Sequence, residues 1–172
     1  MIVSTHGILA SSGARDIASG YLFKSTTNST VVTGTVTNTI SYSNLIPANT
    51  MLVGDFFQYQ FNVVRAGFTA TTVIRAYFNT SLTTTGATLA ATQSFSQSVS
   101  SVFMSKITPI KSATNTEFNV QTANALTRDV QLNNVPIATN INWTVNQYFI
   151  ITLQPSSLTD QGWINGLFFL KT

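Results

Sequence analysis

"NLIPANTMLVGDFFQYQFNVV", residues Asn44–Val64, decides how the chain is read. Pro47 fixes φ and has no N–H to give to a ladder, so strand pairing stops there and "PANT" forms a turn. Gly54-Asp55 makes a second break. From Phe56 onward the side chains alternate. Phe57, Tyr59, Phe61 and Val63 fall on one face, and Phe56, Gln58, Gln60, Asn62 and Val64 on the other. A period of two with one apolar phase is the signature of a half-buried strand.

Similar patterns recur on both sides. "TTVIRAYFN", residues Thr71–Asn79, places Ile74, Ala76 and Phe78 on a buried face and leaves Arg75 at the surface. Upstream, "YLFKS" is a short strand. "TTNSTVVTGTVTNTISYSNL" suggests a hairpin in its first half. Its second half is a strand with Ile40, Tyr42 and Asn44 on one face. Downstream, a turn-rich excursion surrounds Gly86, and "SFSQSVSSVFMSKITPI" is a long stretch bent at Pro109. "TEFNVQTA", "INWTVNQYFIITLQP" and "GWINGLFFL" read as further strands. No stripe of period 3.6 persists, and β-branched and aromatic residues dominate. The expected fold class is all-β, an antiparallel β-sandwich of jelly-roll type spanning residues 20–172. Residues 1–19 show no clean period and read as an N-terminal arm or anchoring segment.

Composition narrows the function classes. The chain has 172 residues, enough for one domain with a substantial core. Only 8% are charged, against about a quarter in a typical soluble domain, and 28 threonines supply much of the polarity. A surface so poor in charge fits a subunit that is covered in an assembly. The net charge of +3 is scattered, with no basic run to follow a phosphate backbone, so no nucleic-acid partner is expected. No window reaches the length of a membrane-spanning helix, and no membrane insertion is expected. Without cysteine there are no disulfides, thiolate metal sites or cysteine nucleophiles.

Catalytic patterns are weak. His6 is the sole histidine and reads as an arm residue, although three copies on a threefold axis would be one route to a metal. The acids Asp16, Asp55, Glu117, Asp129 and Asp160 form no spacing that pairs two carboxylates across one bond. Asp55, after Gly54, suits turn capping. There is no G-x-S-x-G elbow and no phosphate-cradling glycine loop. No catalytic residue, cofactor or metal site is assigned, and the chain is read as a non-enzyme. Most phenylalanines should be core. Tyr42, Tyr59, Tyr77, Trp143, Tyr148 and Trp163 are candidates for a subunit interface or a ligand face, with burial in the core as the competing reading.

"TVTNTISYSNLIPANTMLVGDFFQYQFNVV" resembles a family of small jelly-roll modules in tailed-bacteriophage virion proteins. The likeness lies in a Thr-rich entry (Thr35–Thr39), then "IPANTM" (Ile46–Met51), then "VGD" (Val53–Asp55) and the long strand after it. "TTVIRAYFN" follows as a paired strand carrying Arg75, and "GWINGLFFL" completes the pattern. The distinctive part is Thr35 to Asn79. The resemblance implies a virion structural protein of a head fibre, capsid decoration or tail, made in the host cytoplasm. It implies a homotrimer in contact with capsid or tail components, and it carries no catalytic residues over. A receptor- or glycan-binding module of a tail fibre, with loops near Gly67, Gly86 and Asn133-Asn134 as its rim, is the alternative. A carbohydrate-processing enzyme is a third reading.

Overall fold

The computed structural model describes residues 21–67, 69–120, 135–139 and 141–172, and the expected arm at 1–19 lies outside them. Ten strands follow one another: β1 (Tyr21–Asn28), β2 (Thr39–Ile46), β3 (Phe56–Ala66), β4 (Thr72–Asn79), β5 (Thr88–Phe95), β6 (Ser101–Ser112), β7 (Asn115–Val120), β8 (Val135–Thr139), β9 (Gln147–Pro155) and β10 (Gln161–Lys171). The described residues contain no helix.

The pairing is nested. β1 pairs with β10, β2 with β9, β3 with β6 and β4 with β5, all antiparallel. This is one long hairpin, rolled so that alternate pairs fall into two sheets. The first sheet has the order β1-β10-β3-β6 and continues through β7 and β8; the second has the order β2-β9-β4-β5. That arrangement is a jelly roll.

Hydrophobic alternation sets which way each strand faces. Phe57, Tyr59, Phe61 and Val63 are fully buried, as their phase predicts, and they meet Ile74, Ala76 and Phe78 of β4 and Phe149, Ile151 and Leu153 of β9. Aromatic rings fill the centre. Phe57 stacks on Phe169 at 5.8 Å, Phe149 meets Phe169 edge-on at 4.6 Å, and Trp143 closes one end, 5.4 Å from Phe78.

Two expectations change. The hairpin expected before β2 is a crossover: β1 and β2 belong to different sheets, and the segment between them bridges Val32 to Gly162 of β10. Pro109, where a bend was expected, lies within β6, which runs on to Ser112. Its neighbour across the ladder is Phe56, whose N–H and C=O both bond to Thr172 on the other side, so nothing there requires an N–H from position 109. The late strand starts at Gln147. Residues before it form a turn in which Trp143 donates its N–H to Ala113 and accepts from Asn49.

One end of the sandwich is stapled by a buried ion pair. Arg65 is the next inward position after Val63, and it meets Asp160 at 2.9 Å with both side chains inaccessible. The guanidinium also donates to the carbonyls of Ser96 and Ala70 and lies 4.8 Å from the centre of the Phe95 ring. Three connections are thereby tied together: β3–β4, β5–β6 and β9–β10. Gly67 fits this packing tightly. Its φ is +96°, and a Cβ there would sit 2.7 Å from the Thr159 carbonyl oxygen, whereas Gly54, at φ +94°, faces open space.

Gly54→Ala is expected to cost about 1–2 kcal/mol from backbone strain alone. Gly67→Ala should cost clearly more, because the methyl group also displaces the β9–β10 connection. Urea denaturation of the two variants measures the difference; equal losses would contradict this packing.

Candidate functional site

The first sheet turns one face to the core and the other outward. Along β3 the outward side chains are Phe56, Gln58, Gln60, Asn62 and Val64, and along β6 they are Ser101, Phe103, Ser105, Ile107 and Pro109. Register joins them into rows. Asn62 lies opposite Phe103 and Gln58 opposite Ile107, while Gln60 lies opposite Phe168 of β10, which in turn faces Lys24 of β1. Phe56, Phe103 and Ile107 are 46%, 53% and 57% exposed. Strands β1, β3, β6 and β10 contain no acidic residue. The outward face is therefore apolar and amide-rich, with Lys24 and Lys111 as its cations.

A bulge shapes this face. Ile164 pairs with Val63 and Leu167 with Phe61, so Asn165 and Gly166 together oppose Asn62. Gly166 has φ +86°, a conformation that glycine adopts without strain. Beside the bulge lies a groove of about 350 Å³, lined by Lys24, Gln60, Asn62, Phe103, Gly166 and Phe168 among others. Its lining offers rings and side-chain amides and no carboxylate.

The outer face of the second sheet has a different character. Arg75 donates to Asn38 Oδ1 at 3.2 Å and to Gln154 Oε1 at 2.7 Å, and Asn38 Nδ2 donates to the Tyr77 hydroxyl at 3.3 Å. Tyr148 lies opposite Asn79 on the neighbouring strand. Beneath this network Ile150 and Thr152 are fully buried although they point away from the core.

The six aromatic candidates separate. Tyr59 and Trp143 are buried in the core and form no surface, because the inward phase of β3 and the closing turn before β9 place them between the sheets. Tyr42 is half-buried against Phe23, 5.9 Å away, and burial pushes its hydroxyl up to about 12. Tyr77 and Tyr148 share the outer face of the second sheet. Trp163 lies on the outer face of the first, opposite Val64. Sequence reasoning missed Phe56, Phe103, Ile107 and Phe168. The signal was there in part: in "DFFQ" and "LFFL" two adjacent phenylalanines cannot both point inward along a strand.

The loop rim expected near Gly67 and Gly86 does not form, because β4 separates these turns and places them at opposite ends of the sandwich. Asn133-Asn134 and His6 lie outside the described residues.

Two acids, Asp55 and Asp160, have structural duties. Asp55 accepts from the Leu52 N–H at 2.6 Å, the turn capping expected of it, and pairs with Lys171 at 2.6 Å. Asp160 accepts from the Thr69 N–H and hydroxyl and from the Ala70 N–H, as well as from Arg65. These two carboxylates sit at opposite ends of β3, roughly 35 Å apart at the usual rise per residue. They cannot act on one glycosidic bond. Among the described residues there is no cluster of metal-ligating side chains and no helix able to cross a membrane. No family model matches the chain, and no curated protein matches it.

For Asp160, burial works against the charged form, but the hydrogen bonds from Thr69, Ala70 and Arg65 outweigh it and hold the carboxyl at about 2, below its ordinary 3.8. A lowered folded-state value means the carboxylate stabilises the fold above the ordinary value, and this contribution is lost as pH falls from about 4 towards 2. Asp160→Ala should lower stability near neutral pH by about 3–5 kcal/mol, since it strands the Arg65 charge. It should also flatten that acid limb. Urea midpoints measured from pH 2 to pH 7 test both; an unchanged acid limb would contradict this role.

Proposed function

We propose that this chain is a non-enzymatic structural subunit of a bacteriophage virion that works by assembling, as a homotrimer, through the outer face of its first sheet. The observation that carries the reading is the half-exposed set Phe56, Phe103 and Ile107 on the outward face of β3 and β6, two strands that contain no acid. Exposed apolar side chains gathered on one face mark a contact surface. The 8% charge and the threonine-rich exterior fit a subunit whose surface is covered by neighbours. The "IPANTM" and "VGD" resemblance and the jelly-roll topology support placing that assembly in a head fibre, capsid decoration or tail. Capsid or tail proteins would then be the further partners.

A second reading, a receptor- or glycan-binding module of a tail fibre, has its own support. Tyr77 beside Asn38, with Arg75 and Gln154 in the same network, offers a ring and several polar groups on the outer face of the second sheet. Host-surface glycan binding that is lost in Tyr77→Ala but kept in Ile107→Glu would favour it.

Light scattering at two concentrations tests assembly. A mass three times the 18.6 kDa of the chain is expected. Ile107→Glu places a charge in the proposed interface and should shift the mass towards the single chain, with an unchanged near-ultraviolet circular dichroism spectrum. A monomer in the unsubstituted protein, or a trimer indifferent to Ile107→Glu, would overturn the proposal.

A further inference from the structure

We propose that the groove beside the β10 bulge receives the N-terminal segment, residues 1–19, of a neighbouring copy. This rests on the assembly reading and names the element that engages the face.

The groove and the segment match in character. Phe103 and Phe168 supply apolar walls, and Lys24 is the lining's one charged side chain. "MIVSTHGILASS", residues 1–12, carries Met1, Ile2, Val3, Ile8 and Leu9 and no Lys, Arg, Asp or Glu. Burying such side chains against rings is favourable by about 25 cal/mol per Å² of apolar surface, and no charged side chain of residues 1–12 must be desolvated, Arg15 and Asp16 lying beyond them. Serine, threonine and histidine between them can meet Gln60, Asn62 and Asn165, which line the same groove.

Position and length favour a neighbour over the segment's own groove. Tyr21 opens β1 opposite Leu170, and β1 then runs towards the groove, which it reaches at Lys24, Ser25 and Thr26. A straight continuation of β1 before Tyr21 would lead away from this groove, so a segment filling its own groove would have to reverse. Twenty residues precede β1, and fully extended they span up to about 70 Å. That is ample to cross to an adjoining copy. Among the described residues β1 is also the terminal strand of its sheet, so the wall it forms borders an edge at which an extended segment can add main-chain hydrogen bonds.

The absence of cysteine makes the test clean. Full-length chains bearing Ile8→Cys and full-length chains bearing Phe103→Cys are mixed, unfolded, refolded together and oxidised, and linked peptides are identified by mass spectrometry. A position-8 to position-103 disulfide can form only between chains in this mixture. It should predominate over the link formed when the second chain carries Leu82→Cys, a site equally exposed at 53% but on a different connection. Asn62→Cys replaces Phe103→Cys if the latter does not refold. The absence of a preferential link would overturn the proposal. So would a link formed only within a single chain carrying both substitutions. Light scattering on the same samples separates the two ideas: a trimer without the link refutes the arm placement alone, whereas a monomer refutes the assembly reading as well.

Discussion

The packing of β3 against β9 and β10 through aromatic rings is the interaction on which the structure depends. Phe57 touches Phe78, Trp143, Phe149 and Phe169 with ring centres 5.6–6.4 Å apart. These residues come from β3, β4, β9, β10 and the turn before β9. One cluster therefore joins both sheets and closes one end. Rings this size bury far more apolar area than aliphatic side chains and prefer the tilted and edge-on geometries seen here. With so few charges to build a surface network, the chain relies on this cluster and on one staple at the other end, Arg65–Asp160. That pair is no substitute for apolar packing, since desolvation offsets much of its attraction. Its value lies in fixing three connections relative to one another.

The same strands that make the core make the outer face, because a strand alternates. Once Phe57 and Phe169 point inward, Phe56 and Phe168 cannot. An ordinary soluble sandwich would answer with charge on the outward positions. This one places glutamine, asparagine, phenylalanine and isoleucine there. Such a face carries only the cations Lys24 and Lys111 on these strands and enough apolar area to favour contact, which is why assembly follows more directly from it than catalysis does. Asp55 and Asp160 are used as a cap and a staple at opposite ends.

How much the sequence revealed depends on what each strand faces. β3 was legible because its outward phase is amide and its inward phase aromatic, and β4 because only one phase is fully buried. β9 was legible as a strand, although its neighbours bury Ile150 and Thr152 on the outward side too and so erase the alternation. In β2 a register shift between Ile40 and Tyr42 broke the phase. The β1–β2 crossover was misread as a hairpin because a glycine turn looks alike whether the chain folds back or changes sheets. The true partner of β1 is β10, more than a hundred residues away, and no local signal marks such a pairing. Arg65 continues the inward phase of β3, so the period pointed inside while the charge suggested the surface; its partner lies 95 positions along the chain. For the outer face, the doubled phenylalanines were readable, but the bulge at Asn165-Gly166 that opens the groove was not.

The most direct measurement is hydroxyl-radical footprinting of the full-length protein, with each residue's oxidation scaled to its rate in the denatured chain. Phe103 and Leu82 are equally exposed in the single chain, at 53%. If the outer face of the first sheet carries the assembly, Phe103, Phe56 and Ile107 will be strongly protected while Leu82 and Leu158 are oxidised freely. Equal scaled oxidation of Phe103 and Leu82 would contradict the claim that this face is where the molecule meets its neighbours.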